Sequence, residues 1–119
     1  MTTTSFTQLK VWEKAHRVTL EVYKLTGPFP AEERYGLVTQ MRRAAVSVPA
    51  NIAEGFARRG SRDRARFYTI ARASAEERKY YFILSKDLGY VSDVRSLQAS
   101  LDEVCAMLHR LWERVVSDA

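Results

Sequence analysis

The sequence contains one cysteine, Cys105, which excludes an internal disulfide and fits a reducing compartment. It has only two histidines, His16 and His109, a scarcity that removes most metal-ligand constellations. No apolar run approaches the ~20 residues that a membrane-crossing helix needs. The opening Met1-Thr2-Thr3-Thr4-Ser5 carries neither the basic nor the apolar block of a secretory signal, so the expectation is a cytoplasmic protein with no membrane partner. Proline and glycine are sparse, at three and five. Gly27-Pro28-Phe29-Pro30, Gly60-Ser61 and Gly89 punctuate the chain as turns. No stretch alternates polar and apolar with period two, which argues against strands.

What is present is an ordinary globular balance. The 119 residues are 46% hydrophobic and 28% charged, enough for one domain with its own core, expected over residues 5–117. The formal net charge of +5 is unevenly placed. From Arg42 to Lys79 there are ten basic and four acidic residues, and the remainder holds nine and ten. The excess positive charge sits in the middle third, an asymmetry suited to an anionic partner.

Four segments repeat apolar residues at helical spacing. In the first, Ser5 and Gln8 form a capping-box pattern, and Val11, Ala15, Val18, Val22 and Leu25 make one stripe. Gly27 is expected to stop it by adopting a left-handed dihedral, with two prolines beyond. The second starts near Ala31-Glu32-Glu33, with carboxylates at the positive end of the helix dipole, and carries Leu37, Met41, Ala44 and Val48. Pro49 lies inside it and is predicted to kink it, because proline withholds a donor and crowds the carbonyl of Ala45. From Ala44 to Ala53 the apolar residues surround the axis, so cover on most sides is expected. The third is predicted to take Ser61 as its N-cap and to bury a seam of Phe67, Ile70, Ser74, Glu77, Tyr81, Leu84 and Leu88 before stopping at Gly89. The fourth, capped by Ser92, holds Val94, Leu97, Leu101, Val104, Leu108, Leu111 and Val115. Four such helices on short turns pack as an all-α, antiparallel up-down-up-down four-helix bundle.

Tyr80-Tyr81-Phe82-Ile83 sets four large side chains about 100° apart around the third helix, more than one buried face accommodates. With Tyr35, Phe56, Tyr68, Trp12 and Trp112, the chain carries more aromatic surface than a small core needs. This points to self-association through Tyr80, Tyr81, Phe82 and Ile83.

Two groups of polar residues stand out. Arg58, Arg59, Arg62, Arg64 and Arg66 straddle the turn between the second and third helices, where an exposed turn can meet phosphates. Phe56, Phe67 and Tyr68 lie close enough in sequence to stack on bases, although their positions also fit packing. Gln40, Arg43, Ser47, Asn51 and Glu54 form a polar line on the second helix that faces Ser74 and Glu77 on the third. Arg43 is expected to pair with Glu54 or Glu77, and Asn51 to bond Ser74, in a network that fixes helix register. No nucleophile, metal set or phosphate loop accompanies these groups, so no catalytic residue and no cofactor are expected. Glu13-Lys14-Ala15-His16 is a Glu-x-x-His, but His109 has Ala106 three residues before it, so a di-iron pair is missing. Cys105 reads as a buried small hydrophobe.

Leu9-Lys10-Val11-Trp12-Glu13-Lys14-Ala15, Phe29 to Leu37, and above all Gln40-Met41-Arg42-Arg43-Ala44-Ala45-Val46-Ser47-Val48-Pro49-Ala50-Asn51-Ile52-Ala53-Glu54-Gly55 resemble the bacterial four-helix bundle proteins named after intervening sequences of 23S rRNA genes. The likeness covers nearly the whole chain and departs where the family shows a Gly-Ser pair in helix three, here Ala73-Ser74. It implies a ring-shaped homopentamer without enzymatic activity. It also implies kinship with the accessory proteins of diversity-generating retroelements, basic pentameric bundles that bind nucleic acid and reverse transcriptase. The function expected is a nucleic-acid-binding accessory protein, RNA or DNA, using the arginine-rich turn. The alternative is a protein–protein scaffold ring that has no nucleic-acid ligand.

Overall fold

The computed structural model describes residues 3–118. Four helices account for most of them: α1 (Lys10–Thr26), α2 (Leu37–Ala57), α3 (Ser61–Asp87) and α4 (Arg95–Ser117), and among the described residues there is no strand. α1 packs on α2 and α4, and α3 packs on the same two, so the helices close a ring of neighbours around one core. The particle measures 46 × 24 × 22 Å. Its length follows from α3, whose 27 residues span about 40 Å at 1.5 Å per residue. Positions in contact rise along α2 as they fall along α3: Met41 meets Ser85, Ala45 meets Arg78, Ser47 meets Ser74, and Gly55 lies against Tyr68.

The ends of the helices depart from the sequence reading in instructive ways. The Ser5–Gln8 capping box is present, but it caps a 3-10 turn, Phe6–Gln8, and extended Leu9 delays α1 to Lys10. Ala31–Glu33 likewise forms only a 3-10 turn, and α2 begins at Leu37. Gly27 is right-handed (φ −54°), so α1 is stopped by the prolines after it and not by a left-handed glycine. At its end Arg42 donates from Nε to the Thr26 hydroxyl (2.9 Å) and from Nη2 to the Tyr23 carbonyl (3.3 Å), serving one of the last carbonyl groups of α1. Gly60, not Ser61, occupies the N-cap of α3, and Val94, not Ser92, that of α4. Gly89 has φ +82°. Its N–H bonds Lys86 O and that of Tyr90 bonds Ser85 O, a Schellman closure of α3 that needs a residue free of a Cβ at that point.

The core draws on all four helices, with Val22, Met41, Val48, Ile52, Phe82, Leu101, Val104 and Leu108 essentially sealed. The predicted stripes of α1, α2 and α4 face this core. That of α3 does so only in part, with half-buried Tyr81 and Leu84 packed against the core. Its buried line is Tyr68, Ala71, Ala75, Arg78, Phe82 and Ser85, one position along from the seam expected, while Ile70, Glu77 and Leu88 are exposed. The true line contains an arginine and a serine, so hydrophobicity alone favours the wrong face.

α2 runs unbroken through Pro49. Proline has no N–H to give the carbonyl of Ala45, which would be left bare in the core. Two other helices supply the donor. Arg78 Nη1 on α3 lies 2.9 Å from that oxygen, and Thr19 Oγ1 on α1 lies 3.0 Å away while sharing its proton with Ala15 O.

Candidate functional site

Residues 58–60 alone separate α2 from α3, and the two helices can approach this closely because of Gly55. A Cβ there would sit 2.6 Å from the Tyr68 ring and 3.2 Å from Phe67 Cβ. The five arginines on this tight turn are not equivalent. Arg64 is half-buried and folds back, donating from Nε to Arg58 O (2.6 Å) and from Nη2 to Phe56 O (3.4 Å). It thereby satisfies carbonyl groups at the end of α2. Arg58 pairs with Glu54 (2.9 Å), and its guanidinium lies 4.7 Å from the centre of the Phe67 ring. Arg66 lies 4.8 Å from the same ring and 3.9 Å from Asp63. Among the described residues, exposed Arg59 and Arg62 have no side-chain hydrogen bond and no ion pair. Tyr68 is buried, which pushes its phenol pKa up, with nearby Arg64 pulling the other way. Phe56 is half-buried and lines a shallow surface cavity with Ser5, Phe6, Ala53 and Glu54.

The polar line is partly assembled. Ser47 and Ser74 hydroxyls meet at 2.8 Å, and Asn51 Nδ2 donates to Ser47 O (2.7 Å) and Ser47 Oγ (2.9 Å). Asn51 thus joins Ser74 through Ser47 and not directly. Glu54 turns to Arg58, and Glu77 accepts from the Tyr81 hydroxyl at 2.5 Å, pushing that phenol up to about 12. Gln40 and Arg43 are exposed and stand apart, so the expected pairing of Arg43 with Glu54 or Glu77 is absent. Within this polar line the bond that crosses from α2 to α3 is the Ser47–Ser74 hydroxyl pair, which Asn51 braces from within α2.

The group that the sequence reading missed is Arg78. It is fully buried, and its Nε and Nη2 lack partners among the described residues. Burial pushes its pKa down to about 10, far enough above neutrality that the charge stays. The available signal was Pro49, whose missing N–H requires a donor from elsewhere in the core.

Of the aromatic girdle, Phe82 is 0% exposed and belongs to the protomer's own core, which removes it from any interface. Tyr81 is half-buried, and Tyr80 and Ile83 are more than half exposed. Val46 and Ala50 on α2 are also exposed, Val46 lining a surface cavity with Tyr23 of α1, so the expected all-round cover of the Pro49 region is not supplied within one chain. Tyr35 is 89% exposed. Among the described residues, no three His, Cys, Asp or Glu side chains gather as a metal site, and no helix is long and apolar enough to cross a membrane. His16 stacks on Trp12, and His109 stacks on Trp112 and accepts from Arg72 at 3.1 Å, which places its own proton on Nε2 facing Glu113. Cys105 is buried, its thiol pushed up by desolvation, and points its Sγ toward Glu76 (3.6 Å).

Fold and surface together define an all-α four-helix bundle with an arginine-rich interhelical turn and outward-facing aromatic residues. Residues 7–110 match the family described as 23S rRNA-intervening sequence protein, and the chain belongs to that family. A solved relative is a protein with unknown function from the S23 ribosomal protein family of Bacteroides thetaiotaomicron. It superposes with a TM-score of 0.79 at 21% identity, over 87% of this chain and 95% of that one. No curated protein matches the chain.

Proposed function

We propose that this chain is a non-enzymatic, cytoplasmic, homo-oligomeric accessory protein that binds RNA or DNA through the turn between α2 and α3. The observation that carries this reading is the pair Arg59 and Arg62, two exposed guanidinium groups without partners among the described residues. They stand on a turn whose backbone Arg64 holds in place. Phosphate oxygens satisfy such donors and release counterions in doing so. Exposed Tyr80 and Ile83 support assembly, and the family likeness supplies the count of five. In a ring, one basic turn per protomer multiplies weak contacts by avidity.

Replacing Arg59 and Arg62 with Glu is expected to preserve helicity by circular dichroism and to abolish salt-sensitive binding in a gel-shift titration. Unchanged binding removes the proposal. A scaffold that holds a partner protein is the second reading, favoured by exposed Leu20, Tyr23 and Val46, of which Tyr23 and Val46 line one surface cavity. A stoichiometric protein partner that survives nuclease treatment would select it.

A further inference from the structure

Resting on that reading, we infer that the turn recognises double-helical nucleic acid by its phosphates alone, through Arg59 and Arg62, without stacking on bases and without regard to sequence. A site for unstacked single strands offers open aromatic faces to successive bases. The two rings nearest the arginines, Phe67 and Tyr68, are not open in this way. The ring of Phe67 is already occupied by the guanidinium groups of Arg58 and Arg66, at 4.7 and 4.8 Å. Tyr68 is buried beneath Gly55, and Phe56 lines the cavity on the Phe6 side. Three of the five arginines are engaged within the protein: Arg64 on two carbonyl groups, Arg58 on Glu54 and Phe67, and Arg66 on Phe67 and Asp63. The positive charge that the sequence displays as a cluster of five therefore presents two groups per protomer to a ligand.

The salt dependence of binding reads this number directly. Two phosphate contacts on a duplex give a logarithmic salt slope of about 1.8 per engaged protomer, roughly a twelvefold loss between about 50 and 200 mM salt. Five would give about 4.5, or a loss of roughly 500-fold. The experiment titrates the full-length protein with a short mixed-sequence duplex and with one of its strands alone, by fluorescence anisotropy across that salt range. Slopes are divided by the number of protomers engaged, taken from light scattering and stoichiometric titration of the complex. The duplex is expected to bind at least as tightly as the single strand, and scrambling its sequence should shift affinity less than about threefold. The double variant Arg59→Gln/Arg62→Gln should remove the salt slope. Arg58→Gln/Arg66→Gln and Phe67→Leu, each checked for native helicity, should stay within about threefold of the unaltered protein. A slope near 4.5, a single strand preferred by tenfold, or tenfold weakening by Phe67→Leu would each overturn the inference while leaving nucleic-acid binding intact. No salt-sensitive binding of either probe would instead defeat the parent reading.

Discussion

At the scale of single residues, buried charge decides most. Arg78 gives one hydrogen bond to Ala45 O, and its Nε and Nη2 nitrogens have no partner among the described residues. Arg78→Ala opens a cavity and is expected to lower stability by about 2–5 kcal/mol in urea denaturation, the range of large-to-small core substitutions. Arg78→Met keeps the length and removes these donors, so it should cost far less, with the Thr19 hydroxyl still beside the carbonyl. Equal damage from both substitutions would contradict this account. At the surface, hydrogen bonds from the Arg95 side chain and backbone hold the Asp93 carboxyl down at about 2. A carboxylate with a depressed folded pKa stabilises above its ordinary value near 3.8, and the contribution is lost as pH falls toward about 2. Melting curves of the native protein and Asp93→Asn should differ at pH 5 and converge near pH 2. A constant gap would refute the assignment. In sequence Pro49 signals the need for a buried donor but does not name Arg78, and nothing signals the Asp93–Arg95 bonds, because each depends on which groups the fold brings together. The arginines of the turn were legible as a cluster, but not their division into engaged and open members. That division is set by three-dimensional partners such as Phe67 and the carbonyl oxygens of Phe56 and Arg58.

At the scale of the helices, existence and type were legible and termini were not. Apolar spacing located all four, because burial rewards that spacing whatever the cap. The 3-10 turns at Phe6–Gln8 and Ala31–Glu33 delay α1 and α2, although both carry good helix-start residues. The face of α3 was misread by one position because Arg78 and Ser85, polar in type, are needed inside. The close approach of α2 and α3 depends on Gly55. Gly55→Ala removes backbone freedom from the unfolded chain, which alone would stabilise a helix. Its new methyl would nevertheless press to within 2.6 Å of the Tyr68 ring. We expect a net loss of about 1–3 kcal/mol by thermal melting, the cost of overpacking. A variant as stable as the native chain would show that the ring yields freely.

At the scale of the whole molecule, one chain seals a complete core and still leaves Tyr80, Ile83, Leu20, Tyr23 and Val46 substantially in water. If α3 supplies the contact between protomers, Tyr80→Glu/Ile83→Glu should shrink the particle measured by light scattering while leaving the helical signal unchanged. A particle of unchanged mass would move the contact to another face. The surplus of apolar side chains on α3 was readable in the sequence, and the assignment of Phe82 inward was not, since periodicity does not say which of four adjacent side chains the core will take. The bare oxygen at position 45 bears on how this chain can be divided. Its donors reside on α1 and α3, on either side of α2, so a fragment ending after α2 keeps Thr19 and forfeits Arg78. Cutting between α2 and α3 should therefore yield halves that fold poorly apart. New termini placed in residues 88–94, beyond all three partners, should leave a circularly permuted protein able to assemble its core.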